Sequence, residues 1–247
     1  MKKIIVIGEV CQDIFTYGEA KRLSPEAPVP VFIPSYQDIN KGMAGNVVRN
    51  LKAISSEYII DSIHQVESIK KTRYIHQKSN HIFIRVDEGE ENISPFELTP
   101  TNRDLIKNAY AVIVSDYNKG FLTEQSLLEI SKLNNNCFID TKKKFNPETL
   151  ANYRFIKLNE NEFKNNFTTD VNFLSKVIVT LGDRGATYMG KNYPTEAKET
   201  IDVSGAGDTF LSAFVVKYLD TFNIDIAITF ANKLSSIVVS KRGVNTP

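Results

Sequence analysis

From residue 103 onward, short apolar runs alternate with segments of helical periodicity, and this alternation restricts the fold more than any other property of the chain. Apolar strands are expected at Ala111–Ser115, Cys137–Asp140, Phe155–Leu158 and Val177–Thr180, with helices at Glu124–Lys132 and Glu160–Asn166. Edge strands are expected at Thr187–Met189 and near 193–200, and two helices, Asp208–Leu219 and Ile224–Ser240, end the pattern. Strands that are apolar throughout have no face to give to water. They predict an α/β fold with a mainly parallel sheet covered by helices on both sides. Such sheets bind ligands beyond the carboxyl ends of their strands. The polar clusters Gly8–Asp13, Ser115–Gly120, Asp140–Lys143, Asn159–Glu162 and Gly182–Gly185 fall at those ends.

The first hundred residues read differently. Ile4–Gly8 is an apolar strand running into a loop, and the four prolines of residues 22–34 resist helix formation. A glycine-rich turn opens residues 42–54, followed by a helix with Val47, Val48, Leu51 and Ile54 on one face. Residues 72–87 alternate polar and apolar, the pattern of exposed antiparallel strands. With 247 residues, 42% of them hydrophobic, the chain has enough apolar material for a single domain over 1–247.

Thirty basic against 29 acidic residues give a net charge of +1, which provides no electrostatic basis for binding nucleic acid or an anionic membrane. No apolar run approaches the roughly 20 residues of a membrane span. Met1-Lys2-Lys3-Ile4 looks like the start of a signal peptide, but Glu9, Gln12 and Asp13 interrupt the apolar stretch, so a cytoplasmic location is expected. Cys11 and Cys137 sit in or beside apolar runs, as free thiols do in a reducing compartment. His64, His76 and His81 have no zinc spacing, and Lys142-Lys143-Lys144 reads as a solvated loop.

Residues 200–210 carry the chemistry. Gly205, Ala206 and Gly207 let the backbone approach an anion and feed a helix, whose first-turn N–H groups and dipole favour phosphate. Asp208 would repel phosphate if it were only structural, whereas as a base it would take the proton of an attacking hydroxyl. Helix capping by Ser204 or Asp208 is the competing reading. Asn159 and Glu162, three apart, suit either a hydrated Mg²⁺ beside nucleotide phosphates or a capping box. Thr180, Gly182 and Gly185 suit a nucleotide loop or a plain turn. Gly42 and Asn46 suit close approach of a sugar, with Asn46 also an acceptable N-cap. Asp116 and Lys119 suit a polyol and a phosphate, or an ordinary polar loop.

Taken together, Asp202-Val203-Ser204-Gly205-Ala206-Gly207-Asp208-Thr209-Phe210, Asn159–Glu162, Thr180–Gly185, Ala231-Asn232 and Lys241-Arg242-Gly243 resemble the motifs of the ribokinase-like (PfkB) carbohydrate kinases. The resemblance implies a three-layer α/β/α sandwich with a small β-strand lid drawn from about 10–35 and 72–87. It implies ATP and Mg²⁺, with Asp208 as base and the Gly205, Ala206 and Gly207 amides as anion hole. Asn159, Thr180, Gly182, Gly185 and Asn232 would then meet the nucleotide, and Glu162 the Mg²⁺ through water. Asp202 and Ser204 correspond to a monovalent-cation (K⁺) site in some relatives. Asp13, Gly42, Asn46, Asp116 and Lys119 would hold the sugar, with Arg73 and Arg85 on its phosphate, and the lid strands would pair two subunits.

Residues 22–31, Arg22-Leu23-Ser24-Pro25-Glu26-Ala27-Pro28-Val29-Pro30-Val31, are similar to a run of the bacterial D-glycero-β-D-manno-heptose-7-phosphate kinases, as are 71–74, 85–87 and 115–120. That subgroup implies phosphorylation of the heptose 7-phosphate to its 1,7-bisphosphate. Another sugar or nucleoside as acceptor, and a binding protein without turnover, remain open alternatives. Two departures stand out. One of two adjacent glycines before the first helix is replaced, at Lys41 or Met43, and the stretch between Ile54 and Lys70 is short, so a sheet edge is expected to be missing or covered by a partner. The sequence reaches Pro247 soon after the closing helix, and a nucleotidyltransferase domain of the kind fused to some heptose kinases is not expected.

Overall fold

The structure, a computed structural model, describes residues 2–166, 168–196, 203–240 and 245–247. The chain runs β1 (Lys2–Gly8), β2 (Val10–Leu23), β3 (Pro30–Met43), α1 (Ala44–Ile54), β4 (Tyr58–Ile63), β5 (Ile69–His76), β6 (Ile82–Glu88), α2 (Pro100–Asn108), β7 (Ala111–Asp116), α3 (Glu124–Leu133) and β8 (Cys137–Thr141). It continues with β9 (Phe155–Asn159), α4 (Glu160–Asn165), α5 (Val171–Leu174), β10 (Val177–Thr180), β11 (Ala186–Tyr188), β12 (Lys191–Tyr193), α6 (Ala206–Thr221) and α7 (Ile224–Val239).

The strands form an eight-stranded sheet in the order β12-β11-β10-β9-β8-β7-β1-β4. Every pairing from β10 to β4 is parallel; β11 and β12 are antiparallel. Burial on both faces explains the apolar strand sequences. Ile4 and Val6 of β1 pack with Phe138, Ile178 and the inner faces of α1, α6 and α7. Ile5 and Ile7 point the other way, into a cluster with Val112, Ile139, Ile156, Ile106 of α2, and Leu127 and Ile130 of α3. The result is the three-layer α/β/α sandwich that the alternation predicts.

A second sheet, order β3-β2-β5-β6, is antiparallel except where β2 runs parallel to β5. It corrects one expectation. The chain does not enter a loop after Gly8; Glu9 alone separates β1 from β2, and Val10 already pairs with Met43. The expected strand near 193–200 ends at Tyr193; residues 197–200 lie outside those described. Between Ile54 and Lys70 the chain supplies a single central-sheet strand, β4, which forms the outer edge of that sheet.

Candidate active site

The order of the central sheet reverses at β1, whose neighbours are β4 on one side and β7 on the other. A crevice opens at such a point, and Glu9 organises it. This carboxylate is fully buried and accepts the backbone N–H groups of Tyr117 (2.9 Å) and Lys119 (3.0 Å), tying the end of β7 to the end of β1. Over the crevice lies the small sheet. Between them is a chamber of about 340 Å³, lined on one side by Cys11, Asp13, Gly42, Met43, Lys71, Arg73 and Arg85, and on the other by Asn46, Tyr117, Lys119, Lys142, Ser204, Gly205 and Asp208.

Asp208 is 5% exposed. Asn46 Nδ2 donates to its Oδ2 at 2.8 Å and the Tyr117 hydroxyl donates to Oδ1 at 2.7 Å. Burial pushes its carboxyl up to about 6, against the opposing effect of those two donors. Burial also raises Tyr117 well above a normal phenol, so its hydroxyl remains a donor. The frame around Asp208 is itself fixed. Asn50 Nδ2 donates to the Asn46 carbonyl at 2.9 Å, Thr209 Oγ1 donates to Asn50 Oδ1 at 3.0 Å, and Ser212 Oγ donates to the Asp208 carbonyl at 2.8 Å.

The helix α6 starts from Gly205 in the left-handed region (φ 81°), a conformation glycine adopts without strain, and no side chain caps it. Neither Ser204 nor Asp208 therefore acts as a cap, and the first turn faces the chamber. Of the three amides expected to form an anion hole, that of Ala206 already donates to Val203 O at 3.3 Å. At Gly207 a Cβ would meet Lys157 Nζ at 3.0 Å, so an ammonium lies directly against the helix start.

The remaining expected site residues divide into groups. Asp13, Gly42, Asn46, Arg73, Arg85 and Lys119 line the chamber with Asp208. Arg73 pairs with Asp13, Arg85 forms a two-pronged bond to Asp87 (2.7 and 2.8 Å), and Lys119 pairs with Glu90. Asp116 does not reach the chamber. Its carboxylate is buried behind it, held by Thr141 Oγ1 (2.7 Å), Lys143 Nζ (2.9 Å) and the Asn118 amide (2.9 Å), so its role is to brace the strand ends.

Asn159 and Glu162 form a complete capping box at the start of α4. Thr180 Oγ1 donates to Leu158 O at 3.3 Å, Gly182 stands in open space, and a Cβ on Gly185 would lie 2.1 Å from Tyr193 O. Asn232 Nδ2 donates to Tyr193 O at 2.7 Å and joins α7 to β12. These six residues sit at or just past the carboxyl ends of β9 and β10 and on α7, and none of them lines the chamber. Asp202 and residues 241–243 lie outside the described residues, while Ser204 lines the chamber.

Asp140 stands in the sequence only as part of a strand-end polar cluster with no role of its own, and Lys157 carries no expectation at all. Both are buried, their ion pair is 2.8 Å long, and the second carboxylate oxygen of Asp140 is buried with no hydrogen-bond partner. Burial opposes the charge on Lys157, but Asp140 and Glu162 outweigh it and hold the ammonium above its usual range. Glu162 is raised, first by burial and then by Asp140. A signal was present, since a charged residue inside an apolar parallel strand has to be paired or functional. Lys71 and Tyr117 were likewise left without a role. Lys142 belongs to the chamber and Lys143 to Asp116, so the triple lysine is not a plain solvated loop.

Of the two positions at which a glycine of the resembled pattern is replaced, Lys41 or Met43, Met43 has the backbone that suits a glycine. Met43 is the N-cap of α1 at φ 56°, ψ −133°, a conformation that favours glycine, yet it is 4% exposed and lines the chamber.

Residues 49–247 match the family described as pfkB family carbohydrate kinase. The bifunctional protein HldE of Helicobacter pylori strain J99 is 28% identical over 304 residues, covering 98% of this chain and 64% of that protein. The bifunctional protein HldE of a Nitratiruptor species is 30% identical over 292 residues, covering 99% of this chain and 63% of that protein. The chain thus spans less than two thirds of the length of the curated relatives it matches. The ribokinase of Thermotoga maritima superposes with a TM-score of 0.75 at 18% identity, over 99% of this chain and 95% of that one, a similarity of fold.

Proposed function

The chain belongs to the pfkB family of carbohydrate kinases, and from that premise we propose that it transfers the γ-phosphate of ATP to a hydroxyl of a sugar that already carries a phosphate, a heptose 7-phosphate first among the candidates. The observation that carries the reading is the chamber itself. A buried carboxylate with a raised pKa stands at a helix N-terminus in the same 340 Å³ space as Lys71, Arg73, Arg85 and Lys119. One end suits a hydroxyl that must lose a proton, and the other suits an anion. Similarity to the HldE proteins and the 22–31 run favour the heptose.

In this mechanism Asp208 Oδ1 or Oδ2 accepts the hydroxyl proton as the sugar oxygen bonds to the γ-phosphorus. Asn46 and Tyr117 hold the carboxylate in position. The first-turn amides of α6, Gly207 among them, would face the charge on the transferring group. Asn159, Thr180, Gly182, Gly185 and Asn232 form the nucleotide side. Mg²⁺ fits the oxygen-rich corner of Glu162 and Asp140, where one buried carboxylate oxygen lacks a partner. When bound there through water it would neutralise phosphate charge. Ser204 and Asp202 are the proposed K⁺ ligands.

Residues 1–247 are taken as one catalytic unit in which the small sheet is a lid over the central sheet's crevice, and closing it would exclude water from the chamber. Its two edge strands expose Ile33 (57%), Ile39 (60%), Ile82 and Ile84, apolar side chains that a second copy of the sheet would cover, Ile39 and Ile84 on one face of it. A homodimer through this face is therefore expected. Ile39→Asp should shift the mass measured by light scattering from dimer to monomer; a wild-type monomer at micromolar concentration would remove the idea.

The substrate is tested with ATP, Mg²⁺ and a panel of phosphorylated and unphosphorylated sugars, with and without K⁺. Turnover of D-glycero-β-D-manno-heptose 7-phosphate with a kcat/KM at least about tenfold above any other panel member is the expected result. Preference for an unphosphorylated sugar or a nucleoside would overturn the assignment of the acceptor, and binding of ATP with no transfer at all would favour a binding protein.

A further inference from the structure

We propose that Lys142, an exposed side chain on the chamber wall, is a catalytic residue, the cation that meets the transferring phosphoryl group. The sequence around it gives no such role, and the structure singles it out by its pairing. Among the described residues, four other cations line the chamber, and each has a carboxylate partner. Lys71 bonds to Asp87 (3.3 Å) and Glu90, Arg73 to Asp13, Arg85 to Asp87, and Lys119 to Glu90. Lys142 has none. Its ammonium lies 3.8 Å from the centre of the Tyr117 ring, and the hydroxyl of that ring is bonded to Asp208. A cation–π contact orients an ammonium without neutralising it; desolvation against the wall lowers the Lys142 pKa, while Asp140 and Asp208 favour the charged form that an incoming anion would meet.

The strand end is built to aim it. The Lys142 amide donates to Asp116 O at 3.0 Å. Its neighbours Thr141 and Lys143 are both fastened to the Asp116 carboxylate, behind the chamber. With residues 141 and 143 anchored on that side, Lys142 is left to line the chamber together with Gly205, Ser204 and Asp208. Asp208 acts on a hydroxyl that has a phosphoryl group beside it, and an ammonium in the same space matches the charge of that group.

During transfer the sugar oxygen forms a bond to the γ-phosphorus while the bond from that phosphorus to the β,γ-bridging oxygen breaks. The electron pair leaves on ADP, and the hydroxyl proton passes to Asp208. Lys142 donates hydrogen bonds to the non-bridging oxygens throughout and keeps its own protons. This inference rests on the reading of Asp208 as base.

The experiment compares Lys142→Met, Lys142→Arg, Lys144→Met and Asp208→Asn in transfer from ATP to the acceptor found by the sugar panel. Magnesium complexes of ADP and of the non-hydrolysable analogue AMP-PNP are titrated into the same proteins. Lys142→Met should lower kcat roughly 10- to 10²-fold with little change in the KM of the acceptor. It should weaken AMP-PNP several-fold while leaving ADP unchanged. Lys142→Arg should recover part of the rate, and Lys144→Met should match the wild type. A Lys142→Met kcat within twofold of wild type, or equal losses of ADP and AMP-PNP affinity, would overturn the inference. Should no panel sugar be phosphorylated, the two nucleotide titrations still decide it. Retained activity in Asp208→Asn would remove the base assignment and this inference with it, whereas loss there with Lys142→Met intact would remove Lys142 alone.

Discussion

Asp208→Asn should lower kcat by about 10²- to 10⁴-fold while ATP and sugar still bind, because an amide fills the same space but cannot take a proton. The size of the loss follows from the surroundings. The carboxylate is buried, its two oxygens are fixed by Asn46 and Tyr117, and the raised pKa of about 6 makes it a better base than an exposed aspartate. The base works only when ionised, so kcat/KM should fall as pH drops through about 6 and level off above it. Tyr117→Phe removes a donor that stabilises the ionised form, and should move this limb to higher pH. The effect on stability has the opposite sign to the effect on rate. The folded-state pKa lies above the unfolded value of about 3.8, so the ionised carboxylate costs stability at pH values above 6, and the cost disappears as pH falls towards 4. Asp208→Asn should thus unfold at pH 8 no earlier than the wild type, and its lost rate cannot be attributed to misfolding. A variant that keeps a tenth or more of the wild-type kcat would exclude Asp208 as the base.

Phe214→Ala should remove about 3–5 kcal/mol of folding stability, measured by urea or thermal unfolding. Phe214 is 1% exposed on the sheet-facing side of α6, the helix that carries Asp208. Its ring meets Phe155 edge-on at 5.3 Å, Phe138 at 6.4 Å, and stacks with Tyr218 at 5.8 Å. Truncation leaves a void among side chains that are themselves rigid, so collapse can recover little of the loss. Against the 5–15 kcal/mol typical of a domain, such a change lowers Tm by roughly 10 °C. Val66→Ala, at a side chain 99% exposed, is the control and should stay within about 0.5 kcal/mol of wild type. A Phe214→Ala loss below about 1 kcal/mol would mean that the aromatic cluster does not hold α6 in place.

The central sheet was legible because its strands are buried on both faces. Val112, Val114, Phe138 and Ile156 leave no polar periodicity, and that absence is itself the signature. The small sheet was legible only in part. In β2 and β3, Gly18 and Pro34 sit beside a register shift, and a second shift falls between Ala20 and Leu23, so local alternation fails where the pairing is irregular. The place of β1 between β4 and β7 depends on contacts between residues some hundred positions apart, such as Ile4 with Ala111, and no local pattern encodes them. The same limit applies to the site. Asp208 announces itself by its glycines, whereas Lys157 and Asp140 gain meaning only when β8 and β9 lie side by side. Asp116 shows the converse limit. An acid at a strand end looks like a ligand until Thr141 and Lys143 are seen to occupy it.

The open side of β4 bears on solubility. Unpaired amide and carbonyl groups along a sheet's rim invite other chains to add strands there. This rim is short, at six residues, and it carries Asp61, more than half exposed and bridged to Lys3 of the neighbouring strand at 3.8 Å. An additional strand would have to bury or displace that charge. With so few residues between Ile54 and Lys70, the border is guarded by an aspartate, a charge that works against self-association along it.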